Sequence, residues 1–193
     1  MAATELFESI CRHPGAPRDP NADALIAIAR SLHARGLTPS YGPGDHGNLS
    51  CRTPQGCLIS ARATRKDALG PDVLVSLVGS ERTATGIRIV YDGERLPSTD
   101  ALMHWQIYAR RPDVAAILHG HDDRMVERAA SFGVPITEIS ARTNSLALVE
   151  DVVGLCAAHD YLILRDHGVL ALGASLAEAD ARLQRWFDRA RQA

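Results

Sequence analysis

The sequence predicts one α/β domain with helices on both sides of a largely antiparallel sheet, and three observations carry that prediction. Short β-prone runs recur at close intervals between residues 48 and 91, separated by turn signals, as in antiparallel or mixed sheets. Segments of helical period precede, interrupt and follow them. Near the end, Tyr161-Leu162-Ile163-Leu164 and Val169-Leu170-Ala171-Leu172 flank Arg165-Asp166-His167-Gly168, a hairpin turn. With 193 residues, 46% hydrophobic and 23% charged, the chain is long enough to bury a core as a single domain.

Residues 1–20 contain Pro14, Gly15, Pro17 and Pro20 and are expected to form a loosely held arm, or a short helix followed by a turn, ahead of a domain over residues 21–193. Over residues 22–35, Leu25, Ile28, Ala29 and Leu32 share a helical face. Asn21 or Asp23 stands at the start and Gly36 where a left-handed stop belongs. His33 on this helix has no evident ligand partner and reads as a solvated or capping histidine. Residues 41–47 are dense in glycine and read as a loop leading into a strand over 48–52, with further strands over 57–60, 73–77 and 87–91. The basic segment 62–70, with Arg62, Arg65 and Lys66, reads first as a solvated loop, although such a loop can also clamp an anion.

Residues 100–110 have helical pattern, with Leu102, Ile107 and Tyr108 facing a core, and Pro112 ends the run. Val114 to Leu118 is a continuous apolar stretch, the signature of a strand buried on both faces. A helix over 122–132 closed by Gly133, a short strand over 134–139, a helix over 145–159 and, after the hairpin, a helix over 175–191 complete the chain.

Composition excludes several functions. The net charge is −2 and no basic run with interleaved aromatics occurs, so nucleic-acid binding is unsupported. No apolar stretch approaches the roughly 20 residues of a membrane helix. Residues 1–10 carry two glutamates and no basic residue, unlike a signal peptide, so a cytoplasmic location is expected. Cys11, Cys51, Cys57 and Cys156 are irregularly spaced and read as reduced packing residues.

Chemistry concentrates where the buried strand ends. Side chains at i and i+2 of a strand point the same way, so His119 and His121 can offer imidazole nitrogens to one cation; the plainer alternative is two unrelated histidines on a strand end. Catalytic zinc sites usually take three protein ligands and keep a position open, and His167, in the hairpin turn beside Gly168, is the third candidate. Asp100 and His104 share a helix face at i and i+4, so Asp100 can add a carboxylate; His104, at the start of the buried face, reads as a hydrogen-bonded core histidine.

Four blocks resemble the class II aldolase/adducin family, the group that includes fuculose-phosphate and rhamnulose-phosphate aldolases and ribulose-phosphate 4-epimerase. They are Gly47-Asn48-Leu49-Ser50-Cys51-Arg52; Pro97-Ser98-Thr99-Asp100 with His104 and Tyr108; Arg111-Pro112-Asp113-Val114 through His119-Gly120-His121; and Asp166-His167-Gly168-Val169 with Gly173. The resemblance implies a three-layer α/β/α sandwich and a homo-oligomer, a tetramer first, with sites between subunits. It also implies a divalent cation on His119, His121 and His167, zinc first, with Mn2+, Co2+ and Fe2+ as alternatives. Family aldolases carry glutamate as acid/base where Asp100 stands, whereas the 4-epimerase has aspartate there as a metal ligand. Asp100 is therefore the catalytic candidate, either as base or as ligand. Tyr41, His46 and Glu138, in loops, are further proton-transfer candidates.

For substrate binding the candidates are Asn48, Ser60, Arg62, Ser98 and Thr99. Arg62-Ala63 replaces the family's hydroxyl-glycine pair; alanine blocks the close backbone approach that glycine permits, and a guanidinium pairs with a planar carboxylate as well as with phosphate. The expected substrate is therefore a small anion other than the usual sugar phosphate, such as a hydroxy-keto acid, with a sugar phosphate as the alternative. The implied activity is a metal-dependent lyase cleaving a carbon–carbon bond by a retro-aldol step through a metal-stabilised enediolate. A sugar-phosphate 4-epimerase and a decarboxylase or dehydratase using the same metal enolate are the catalytic alternatives. A noncatalytic adducin-like interaction module is the alternative of another class, and the three retained histidines argue against it.

Overall fold

A computed structural model describes residues 6–84 and 86–192, with the side chains of Ala130 and Thr143 left aside. Ten strands occur among them: β1 (Glu8–His13), β2 (Ser40–Tyr41), β3 (Gly44–Asp45), β4 (Asn48–Thr53), β5 (Gly56–Ser60), β6 (Leu74–Thr83), β7 (Gly86–Asp92), β8 (Ala116–Gly120), β9 (Tyr161–Leu164) and β10 (Gly168–Gly173). The helices are α1 (Ala22–Ala34), α2 (Ala101–Arg110), α3 (Asp123–Phe132), α4 (Leu146–Leu155) and α5 (Leu176–Gln192). Eight strands make one sheet in the order β1-β7-β6-β5-β4-β8-β10-β9, while β2 and β3 pair as a separate two-residue hairpin. Every pairing in the large sheet is antiparallel except β1 with β7.

Alternation along β8 sorts the molecule into layers. Ile117 packs with Leu102, Met103 and Ile107 of α2 and Val149 and Val152 of α4. Ala116 and Leu118 face the other way, toward Leu25, Ala29 and Leu32 of α1, Met125 of α3 and Leu183 of α5. The sheet is thus covered on both faces, the three-layer α/β/α sandwich that the sequence predicts. Arg52, on β4, ties the layers at the centre: its guanidinium donates to the carbonyls of Val114, Tyr108 and Arg111, pinning the end of α2 beside the start of β8.

Four expectations need correction. The strand expected over 73–77 runs on to Thr83, because its far half pairs with β7 through Thr83–Gly86. Residues 8–13 are neither a loose arm nor a helix but an edge strand, β1, held by its ladder to β7 and by the Arg12–Asp92 and Arg88–Glu8 ion pairs; residues 1–5 lie outside the described set. The strand expected over 134–139 is reduced to one parallel bridge, Ile136 with Ile163. There Ile163 N–H donates to the Pro135 carbonyl and Thr137 N–H to the Ile163 carbonyl, and Pro135 has no N–H with which to extend the ladder. The helix expected over 145–159 ends at Leu155, beyond which residues 156–158 continue as turns.

Candidate metal centre

His119 sits near the end of the central strand β8, opposite Asn48 of β4 on one side and Leu170 of β10 on the other. Its parity is that of Ile117, so its ring faces the layer that contains α2. His121 follows on the same side just past the strand, and its ring lies 4.9 Å from that of His119. The hairpin between β9 and β10 brings His167 to both, at 5.1 Å from the His119 ring and 4.5 Å from the His121 ring. One ligand nitrogen from each lies within 4.8 Å of the others. Two glycines permit this approach. A Cβ on Gly168 would meet the Gly120 carbonyl at 2.5 Å and His119 Cε1 at 3.0 Å; one on Gly47, whose φ is 77°, would meet the His119 carbonyl at 2.5 Å.

The chemistry of the three rings fits a divalent cation. His119 Nδ1 donates to the Val169 carbonyl at 2.9 Å, which leaves the buried Nε2 with its lone pair and no partner among the described residues. An imidazole fixed through one nitrogen with the other left bare is the usual state of a metal-ligating histidine. Burial, followed by the neighbouring His119 and His167, pushes His121 down to about 2. Burial and then His119 push His167 down to about 4. Both rings are therefore neutral near pH 7, the form that ligates.

Asp100 is the residue immediately before α2. Its Oδ2 accepts from Asn48 Nδ2 at 2.5 Å and stands 4.0 Å from His119 Nε2, while its backbone N–H donates to Ser98 Oγ at 3.3 Å. Burial pushes this carboxyl up, but His119, His104, the Asn48 amide and His167 together outweigh it and the net shift is downward, so Asp100 is ionised at neutral pH. One turn on, His104 is fully buried. Its Nδ1 meets Ser50 Oγ at 2.7 Å, and Ser50 Oγ meets Tyr108 Oη at 2.8 Å. Burial lowers His104 to about 4, consistent with the core role expected for it.

A cavity of about 420 Å³ opens over the three rings. Asn48, Arg62, Ser98, Thr99, Asp100, His119, His121 and His167 all line it, as do Tyr41 and His46. Two candidates fall elsewhere. Ser60 is fully buried within β5, where its Oγ accepts the Leu49 N–H at 3.4 Å, so it braces the sheet instead of facing the cavity. Glu138 is exposed and outside the cavity wall.

Sequence reasoning misses the buried group that fixes the cavity's outer wall. Asp45 has a wholly buried carboxylate that accepts from Ser40 Oγ at 2.7 Å and from Lys66 N–H at 2.6 Å. It also faces His33 Nδ1 at 3.0 Å, so His33, expected to lack a partner, has one. Lys66, expected in a solvated loop, is 2% exposed, and its Nζ donates to the Thr64 carbonyl at 3.0 Å. Asp45 N–H in turn donates to the Thr64 carbonyl. The β2–β3 hairpin that carries Tyr41, with His46 just after it, is thereby fastened to the loop carrying Arg62 and Ala63. Ala63 holds a φ of 54° against Gly44, where a Cβ would meet the Ala63 carbonyl carbon at 2.6 Å. A carboxylate and a histidine inside a glycine-rich loop were the available signal, but nothing local says which way they point.

The comparisons agree with this architecture. The family model for the Class II Aldolase and Adducin N-terminal domain matches residues 23–192. A methylthioribulose-1-phosphate dehydratase from Pseudomonas fluorescens is 27% identical over 193 residues, covering 84% of this chain and 86% of that protein. A 5-methylthioribulose-1-phosphate/5-deoxyribulose-1-phosphate aldolase from Escherichia coli is 28% identical over 100 residues, covering 52% of this chain and 41% of that protein. A solved L-fuculose 1-phosphate aldolase has the same fold, with a TM-score of 0.73 and 24% identity over 90% of this chain and 85% of that one. With the three-layer fold and a family match over residues 23–192, the chain belongs to the class II aldolase and adducin N-terminal domain family.

Proposed function

We propose that the chain is a metal-dependent lyase that cleaves a carbon–carbon bond of a small anionic hydroxy-ketone, a sugar phosphate first, by a retro-aldol step. The observation that carries this reading is the set of three imidazoles whose ligand nitrogens lie within 4.8 Å of one another, with the Asp100 carboxylate 4.0 Å from His119 Nε2. His119, His121 and His167 would hold a divalent cation, zinc first, which would supply positive charge toward the substrate's carbonyl oxygen, a contribution of several kcal/mol. Asp100 takes the proton of the hydroxyl whose carbon leaves as the aldehyde, the carbon–carbon bond breaks as that oxygen becomes a carbonyl, and Asp100 returns a proton to the remaining fragment. Asn48 holds Asp100 in orientation through Oδ2, and Val169 fixes the tautomer of His119. Arg62, Ser98 and Thr99 receive the anionic end.

Dehydration is the second reading, favoured by the names of several relatives as methylthioribulose-1-phosphate dehydratases. It starts from the intact ketose: the base removes the C–H proton next to the carbonyl instead of an O–H proton, and the resulting enediolate loses the neighbouring hydroxyl, protonated by an acid, as water, with no carbon–carbon bond broken. Zinc-loaded wild type and Asp100→Asn, assayed on ketose 1-phosphates for aldehyde release and for water loss, separate the two. Aldehyde release is the expected outcome, with turnover in Asp100→Asn down by at least about a hundredfold and zinc content unchanged. Zinc loss in Asp100→Asn makes Asp100 a ligand and moves the proton work elsewhere; water loss without aldehyde makes the chain a dehydratase.

A further inference from the structure

Two cavities meet at His46. Beyond the one over the histidine triad lies a second, of about 580 Å³, between the C-terminal end of α1, the N-terminal end of α3 and the end of α5, with Phe187, Arg124 and Arg191 on its walls. Among the described residues the two linings share His46 and His121. His121 belongs to the triad and is fixed there. His46 follows the β2–β3 hairpin, its N–H donating to the Pro39 carbonyl, and its ring is wedged between those of Tyr41 and His121, 4.6 Å from each.

We propose that His46 is a specificity-determining residue: its ring closes the triad cavity on the His121 side and limits the substrate to a short tail beyond the atoms that reach the metal. This rests on the metal-site reading above. The residue acts by exclusion. A longer tail must displace an imidazole packed between two rings and forfeit those contacts. Removing the ring opens a way past His121 toward the second cavity, whose walls carry Arg35, Asp122, Asp123, Arg124 and Arg191 beside Phe187, so a tail that passes meets Phe187 and the stems of those arginines.

Hydroxamates chelate zinc through two oxygens and carry an acyl chain of chosen length, so they test the partition without turnover. Acetohydroxamate, butanohydroxamate and octanohydroxamate are titrated calorimetrically into the zinc-loaded full chain, wild type and His46→Ala, with His46→Ser as a second truncation should the alanine variant not fold. Wild type is expected to bind acetohydroxamate about tenfold tighter than octanohydroxamate. Truncation is expected to tighten octanohydroxamate about tenfold and to leave acetohydroxamate within about twofold. His46→Gln, which keeps the bulk, retains the wild-type preference. Equal affinity for all three probes in wild type, or an unchanged preference after truncation, overturns the partition and leaves the metal site standing. Failure of zinc-loaded protein to bind any hydroxamate overturns both.

Discussion

The two walls of the cavity are held by different physics. The inner wall, His119 with Asn48 and His167, grows from the centre of the sheet, where cross-strand register fixes His119 opposite Asn48 and a backbone carbonyl fixes its ring. The outer wall, Tyr41 and His46 facing Arg62 and Ala63, belongs to a small hairpin and a loop, joined through one buried carboxylate, Asp45. The first is rigid because a ladder of hydrogen bonds over-determines it; the second depends on a few contacts to a single charge. In the proposed reading the inner wall holds the cation and the outer wall meets the substrate, and the variants below test whether each can be perturbed without the other.

The sharpest separation comes from the inner wall. His119→Ala removes one of the three proposed ligands and should weaken zinc binding by more than about a hundredfold, beyond what losing an outer-shell partner costs, while circular dichroism stays native. Acid comes next. His121, His167 and His104 are shifted down to about 2, 4 and 4, so below the ordinary histidine value near 6.5 the unfolded chain takes up protons that the folded chain refuses. Metal-free protein should therefore lose stability as pH falls from about 6.5 toward 4, each group adding a slope of up to about 1.4 kcal/mol per pH unit, and should show no such slope above pH 7. Asp45 adds to the slope only below about pH 5, as its unfolded carboxyl begins to take up a proton. Burial pushes its carboxyl up, yet the Lys66 N–H, Ser40 and the nearby His33 and Arg65 leave it below its ordinary value. Urea melts between pH 4.5 and 8 read the difference.

The outer wall gives smaller effects. Asp45→Asn removes the charge that Ser40, Lys66 N–H and His33 face, and should cost about 1–3 kcal/mol, a fall in Tm of several degrees, with zinc affinity unchanged. A parallel loss of zinc would show that the two walls are one unit. Lys66→Met is the mildest. Desolvation lowers the Lys66 ammonium to about 8, so between about 8 and 10.5 the unfolded chain holds a proton that the folded one has released, and stability rises with pH there. The methionine variant should lie within about 1 kcal/mol of wild type at pH 7 and lack that alkaline gain.

Much of the inner wall is legible in one dimension. An apolar run ending in His119-Gly120-His121 announces a buried strand with two rings on one face, and the hairpin around His167 is written in its flanking strands. Helix α1 closes where Gly36 stands, with φ 79°. Ser60 and Lys66 are misread for a common reason: a serine on a strand and a lysine in a basic loop look alike whether they face ligand, core or water, and only the packing of β4 on β5, or of one loop on another, decides.

By itself the sequence determined the layer architecture, the ends of most elements and the placing of His119 and His121 on one face, because hydrophobic period, glycine stops and i, i+2 spacing are local consequences of backbone geometry. It left open the partner of His33, the burial of Lys66, the carboxylate that joins the two loops and the wedge at His46. Those depend on which segments meet in space. Asp45 and Thr64 are 19 positions apart, joined by one backbone hydrogen bond. That contact depends on how two loops pack on one another, which no local pattern fixes, so the tertiary structure alone decided it.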